Sequence, residues 1–195
     1  MKIAIFSSAN TKIPDHLKTL AFNIGVYLAS RAITVVTGGC VGIPGIVVDG
    51  ALSVGGKTEA FYPDINEASL NLNRDVHNND RLDKFSYKNF FNGFTERSLR
   101  MIHSVDGAIV LNGRIGTLSE FTIAIEEGLD VCVIKGTGGI SDQLEEIIKI
   151  ADREIPNKII FEEDWKKGIS NLVSYVTPQF PNSLGKIKKS DGNPI

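Results

Sequence analysis

Three glycine-rich loops carry the strongest chemical signal in this chain. They are Gly38-Gly39-Cys40-Val41-Gly42-Ile43-Pro44-Gly45, Gly113-Arg114-Ile115-Gly116-Thr117 and Gly136-Thr137-Gly138-Gly139. Each follows a short apolar run and leads into an amphipathic stretch. Glycine lets the backbone turn with positive φ and lets N–H groups approach a ligand closely. The free N–H groups and dipole at a helix start favour an anion, typically phosphate. A tight turn without a ligand accounts for any one such loop; three at one edge favour a phosphate-binding edge. The candidate binding residues are Ser8, Gly38, Gly39, Gly42, Gly45, Gly113, Arg114, Gly116 and Thr117, with Ser8 in the loop that ends the first strand.

Glu120 and Arg97 are the candidates for catalysis. Glu120 stands one turn from the second glycine loop, available as a general base or as a stabiliser of a developing cation. Spacing alone also allows a capping box over Thr117-Leu118-Ser119-Glu120, with Thr117 capping a helix and Glu120 reaching back to it. Arg97 falls on a predicted helix over residues 89–105, whose apolar arc is Phe90, Phe91, Phe94, Met101, Ile102 and Val105. At about 100° per residue it lies beside Phe90 on the margin of that arc. It either snorkels over apolar surface or offers a bidentate guanidinium to an anion. Arg100 points further outward, towards solvent. Cys40 reads as a small packing residue and Cys132, in an apolar run, as inert.

The elements that must position these residues alternate between short apolar runs and amphipathic stretches. Strands are predicted at 3–6, 33–36, 57–61, 108–111, 131–134 and 159–161. Helices are predicted from Leu17 to Leu28 and over 44–53, 89–105, 117–128, 142–151 and 165–176. The polar stretch 64–88 reads as a long excursion with an edge strand near 68–72, shaping a pocket mouth or a subunit contact. Residues 177–195 read as a mobile tail. Continuous apolar strands alternating with helices predict a Rossmann-like doubly wound α/β fold. Its sheet is mainly parallel, with helices on both faces, in one domain over 1–176. Ligands in such sheets bind at the carboxyl ends of the strands, at the switch point.

Composition narrows the function further. The chain has 195 residues, a formal net charge of −2 and 42% hydrophobic residues, values of an ordinary folded domain. Near-neutral charge predicts neither a nucleic-acid partner nor an anionic membrane surface. Two cysteines build no disulfide framework and suit a reducing, cytoplasmic setting. His16, His77 and His103 form no ligand spacing with them, so no metal site is expected. Neither a signal peptide nor a membrane span is apparent. Ala51-x-x-x-x-Gly56-Lys57-Thr58 imitates a P-loop but lies after a helix and before a strand, the reverse of what that motif needs. No Gly-x-Gly-x-x-Gly follows the first strand, and no cofactor is predicted.

Val36-Thr37-Gly38-Gly39-Cys40-Val41-Gly42-Ile43-Pro44-Gly45 with Asp49-Gly50-Ala51-Leu52 resembles the first glycine motif of the Lonely Guy proteins, long mislabelled lysine decarboxylases. Glu96-Arg97 continues the match. Asn112-Gly113-Arg114-Ile115-Gly116-Thr117-Leu118-Ser119-Glu120 resembles that family's Pro-Gly-Gly-x-Gly-Thr-x-x-Glu signature. The wider superfamily includes molybdenum-cofactor carriers and nucleotide-sensing domains. The resemblance implies a Rossmann-like homo-oligomer, usually a dimer, whose enzymatic members hydrolyse the N-glycosidic bond of nucleoside 5′-monophosphates. It makes Arg97 and Glu120 the catalytic pair and Gly113, Gly116 and Thr117 the phosphate cradle. Asn112 replaces the signature's Pro, Arg114 its second Gly, and Thr95 and Ser98 the flanking His and Lys. Arg114 either adds a charge to the phosphate site or fills space a nucleotide needs. The alternative reading is a non-catalytic carrier or sensor of a nucleotide or molybdopterin-like phosphate.

Overall fold

Continuous apolar runs become strands because both of their faces are covered. The computed structural model of the chain describes residues 1–72, 79–152, 155 and 157–176. Its strands are β1 (Lys2–Phe6), β2 (Thr34–Thr37), β3 (Thr58–Tyr62), β4 (Tyr87–Phe90), β5 (Gly107–Leu111), β6 (Val131–Ile134) and β7 (Ile159–Glu162). They form one sheet in the order β4-β3-β2-β1-β5-β6-β7, and every pairing is parallel. The helices are α1 (Asp15–Ala29), α2 (Ile43–Ser53), α3 (Glu67–Leu72), α4 (Phe94–Ile102), α5 (Ile115–Glu126), α6 (Leu144–Ala151) and α7 (Trp165–Val176). No helix among the described residues is long and apolar enough to cross a membrane.

The period of two along each strand sorts the core into layers. Ile3, Ile5, Val35, Ile109 and Cys132 face α1, α2 and α7, while Ala4, Phe6, Val36, Val110 and Val133 face α4, α5 and α6. The helices α1 and α2 meet backbone to backbone. A Cβ on Gly25 would run into the Val47 carbonyl, and one on Gly50 into the Phe22 carbonyl. Glycine at both crossing points is what allows that approach.

The topology fixes where a ligand can bind. From β1 the chain steps outward through β2 and β3 to β4, and α4 then returns it to β5 on the other side of β1. The loops leaving β1 and β5 therefore diverge, opening a crevice at the carboxyl ends of these strands.

Several element boundaries differ from the sequence expectation. The predicted helix over 89–105 is a strand followed by a helix. Phe90 stacks on Tyr62 (5.4 Å between ring centroids) and Phe91 on Phe61 (5.7 Å). Cross-strand stacking on β3 thus holds Phe90 at the end of β4 and Phe91 just beyond it, although their spacing imitates a helical arc. Gly93, at φ 89°, separates β4 from α4. The edge strand expected near 68–72 is the helix α3, opened by Asn66, whose Oδ1 accepts from the Ser69 N–H at 2.9 Å. The helix α5 begins at Ile115 and not at Thr117. A 3-10 helix, Gly139–Asp142, precedes α6. The expected tail at 177–195 lies outside the described residues, as do 73–78 of the excursion.

Candidate functional site

The loop after β5 is built around two residues in left-handed backbone conformations, Asn112 (φ 52°) and Gly113 (φ 100°). Asn tolerates that region better than most side chains. Its own amide fixes the turn: Nδ2 donates to the Thr137 carbonyl at 2.8 Å, and its backbone N–H donates to Thr137 Oγ1 at 2.7 Å. Proline cannot reach positive φ, so the backbone here takes a path the resembled signature would not.

The third glycine loop supports this turn rather than the crevice. Ile140 and Ser141 donate to the carbonyls of Gly113 and Asn112 at 3.1 and 3.0 Å. The N–H groups of Gly136 and Gly138 are taken by the Asp142 carboxylate at 2.8 and 2.9 Å. The anion this nest favours is a side chain of the chain itself.

The crevice holds a cavity of about 610 Å³, counted to its open mouth. Ile5 and the loop residues Ser7, Ser8 and Ala9 contribute one wall. Gly38, Cys40 and Pro44 come from the loop into α2; Arg114, Gly116, Thr117 and Glu120 come from the start of α5. Phe94 and Arg97 of α4 complete it. Of the predicted binding residues, Ser8, Gly38, Arg114, Gly116 and Thr117 line this space. Gly39 packs against the Tyr62 ring, and Gly42 packs against the backbone of Ser8, Ala9 and Asn10. Gly113 packs against the Thr117 side chain. Gly39, Gly42, Gly45 and Gly113 are not on the wall.

Arg97 and Glu120 meet at the inner wall. Arg97 Nη1 donates to Glu120 Oε1 at 2.7 Å, and the residues are 6% and 9% exposed. Arg97 is thus buried, not marginal to its helix. The capping box expected of Glu120 does not form, because α5 starts earlier and puts Thr117 at its third position, where Oγ1 accepts from the Arg114 N–H at 3.4 Å. A Cβ on Gly38 would stand 2.5 Å from Arg97 Nη1, so this glycine makes room for the guanidinium. Among the described residues, buried Arg97 Nε has no partner and Glu120 accepts one hydrogen bond, that from Arg97.

Burial pushes the Glu120 carboxyl above the usual carboxylate range, with Arg97 opposing the shift. Burial likewise pushes the Cys40 thiol up to about 11, so at neutral pH it is not a thiolate. An upward-shifted carboxyl beside a fixed guanidinium is an arrangement suited to proton transfer.

The two helix starts at the cavity differ in what they offer an anion. At α2 the Ile43 N–H is donated to the Ser8 carbonyl at 3.2 Å, and Pro44 has none to give. At α5 the N–H groups of Ile115, Gly116 and Thr117 find no acceptor among the described residues. Gly116 and Thr117 face the cavity, where Glu120 lies one turn on. Sequence reasoning missed Pro44 and Phe94 as wall residues. Phe94 was legible only as part of an apolar arc, and Pro44 only as a helix opener.

A doubly wound parallel sheet with a cavity at its switch point defines a Rossmann-like α/β protein. The chain belongs to the SLOG cluster4 family, whose model matches residues 1–169. No curated protein matches it. Among solved structures it is similar to TM1055, a structural-genomics target, with 20% identity over 89% of this chain and 98% of that one (TM-score 0.71). It is also similar to the molybdenum cofactor binding protein of the phototrophic bacterium Rippkaea orientalis, with 19% identity over 90% and 97% of the chains (TM-score 0.66). A third likeness is to DNA processing protein A of Helicobacter pylori, with 18% identity over 90% and 81% (TM-score 0.60). These share the fold. Family and fold together agree with the superfamily that the sequence motifs resemble.

Proposed function

We propose that this protein is a nucleoside 5′-monophosphate phosphoribohydrolase, adding water across the N-glycosidic bond to release free base and ribose 5-phosphate. The observation that carries the reading is the Arg97–Glu120 pair one turn from three unused N–H groups at the α5 N-terminus. Those donors, with the Arg114 guanidinium at the rim, take the 5′-phosphate. Anchoring the phosphate orients the ribose so that its C1′ lies within reach of Glu120. Glu120, held through Oε1, uses its other oxygen to accept a proton from the attacking water and to stabilise the ribosyl cation as the bond to the base breaks. Arg97 keeps that carboxylate in place and favours its ionised form against the effect of burial. The ligand is a small phosphate ester and not a nucleic-acid strand, consistent with the net charge of −2. The protein works as a homo-oligomer, a dimer in the first instance, as the resemblance implies.

The test is a panel of nucleoside monophosphates incubated with the protein and assayed for free base. Release by the wild type and its loss in Glu120→Gln is expected; no release from any of them overturns the reading.

A second reading is a non-catalytic carrier or sensor of a nucleotide or molybdopterin-like phosphate. It is favoured by the positive φ of Asn112, which gives the phosphate loop a backbone the hydrolase signature would not have. The fold likeness to the molybdenum cofactor binding protein of Rippkaea orientalis fits it. Stoichiometric binding without turnover would decide in its favour.

A further inference from the structure

The α5 wall of the cavity is graded from its inner end to its rim. Glu120 and Thr117 are buried, Gly116 and Arg114 are exposed, and all four line the cavity. At 1.5 Å per residue, Arg114 stands about 9 Å along the helix axis from Glu120. The charges follow the same order. At the inner end Arg97 and Glu120 pair at 2.7 Å and offset one another. That end is itself short of an acceptor, since Nε of buried Arg97 has no partner among the described residues. Glu120 is the one carboxylate among the described wall residues, so Arg114 at the rim supplies a positive charge that no wall residue compensates.

The donors outnumber what one phosphate uses. A phosphate monoester presents three terminal oxygens, and the N–H groups of Ile115, Gly116 and Thr117 supply one donor to each. The Arg114 guanidinium adds five N–H donors, in a fork that fits a phosphate side-on. It forms no ion pair with a described residue. A phosphate seated on the N–H groups occupies only part of that fork. Arg114 lies on the outer side of those groups, away from Glu120, where a phosphate chain lengthens when the sugar end is at Glu120.

We infer that Arg114 holds a second phosphate, so that the cavity prefers a nucleoside 5′-diphosphate to the monophosphate. This rests on the reading of the cavity as a nucleotide site and sharpens its substrate class. The glycosidic bond stays at Glu120, the first phosphate stays on the α5 N–H groups, and the second extends to the rim. With a monophosphate, Arg114 keeps one charge-assisted hydrogen bond to the outer oxygens; with a diphosphate, the rest of its fork is engaged as well.

The test titrates formycin 5′-monophosphate and formycin 5′-diphosphate calorimetrically into the wild-type protein and Arg114→Gln. The C-glycosidic bond of formycin resists hydrolysis, so turnover does not consume either probe. Arg114 is exposed, and Arg114→Gln keeps much of its length while removing the charge and the fork. The wild type is expected to bind the diphosphate at least about ten-fold more tightly than the monophosphate, the worth of one further charge-assisted hydrogen bond. In Arg114→Gln the two affinities become about equal. The ratio isolates the second phosphate, because general damage to the cavity weakens both probes alike. Equal binding in the wild type, or weaker binding of the diphosphate, overturns the inference and leaves the nucleotide site standing. A preference that persists in Arg114→Gln, even with both probes weakened in parallel, also overturns it by assigning the second phosphate to another group. Failure of both probes on the wild type overturns the inference and the nucleotide site together. Release of free base from AMP and ADP is measured alongside. A diphosphate preference that depends on Arg114, with no base released from either, supports the inference while overturning the hydrolase reading.

Discussion

Arg97 Nη1 lies 2.7 Å from Glu120 Oε1, joining α4 to α5 at the inner wall of the cavity. Buried ion pairs are poor stabilisers, because removing both charges from water offsets most of their attraction. Here the carboxyl is pushed above its usual range in spite of the arginine, so burial outweighs the pairing. The site holds a charge at a cost in stability.

Replacing Glu120 by Gln removes the base and lowers turnover by about 100-fold or more. Stability moves with pH in a direction fixed by the raised pKa. Above the ordinary carboxylate value of 4.5, the folded protein retains a proton the unfolded chain has lost, so the wild type loses stability as pH rises through that window. Glu120→Gln has no such loss. Thermal unfolding of the two should converge near pH 4.5 and separate upward, the variant being the more stable. A wild type that gains on the variant with rising pH would show that Arg97 dominates.

The same shift places the acid limb of kcat/KM above pH 4.5, with activity falling as Glu120 takes up its proton. A pH–rate profile in which full activity persists below 4.5 would remove Glu120 from the role of base.

Arg97→Met leaves a buried carboxylate without its partner and costs about 3 kcal/mol at neutral pH, recovered in part as the pH falls and the carboxyl protonates. Denaturant unfolding at two pH values measures both effects. A loss of the same size at each pH would mean that only packing was removed.

Gly38→Ala puts a methyl group 2.5 Å from Arg97 Nη1 and 3.0 Å from its Cζ. The guanidinium must move, and turnover should fall by about ten-fold or more while stability falls by only about 1 kcal/mol, since a flexible side chain yields. Equal activity in the variant would show that Arg97 need not hold its observed position.

Arg114 stands exposed at the rim of the cavity and forms no ion pair with a described residue. If it grips phosphate, Arg114→Ala should weaken ribose 5-phosphate binding by about ten-fold, the worth of one charge-assisted hydrogen bond. It should also flatten the dependence on salt. Tighter binding in the variant would mean that the side chain occupies ligand space.

Sequence alone determined the alternation of strands and helices, because a parallel sheet covered on both faces demands continuous apolar runs such as Ile3–Phe6 and Val131–Ile134. It also placed the glycine loops at the carboxyl edge, with Glu120 one turn beyond the second, since chain order and right-handed crossovers leave few other arrangements. Local pattern failed at Phe90 and Phe91, where aromatic partners on β3, 28 and 30 residues earlier in the chain, hold them in and beside the sheet against their helical spacing. It failed again at the glycines, which look alike in sequence. Whether an N–H group is free depends on what folds against it: Asp142 fills the third loop, the Ser8 carbonyl takes the Ile43 N–H at the start of α2, and nothing described takes those at the start of α5. Glu120 illustrates the same point. Its spacing from Thr117 allowed a cap, and only the approach of α4 turned it into half of a buried pair. Contacts distant in sequence decided each of these, and residue spacing within one element carries no record of them.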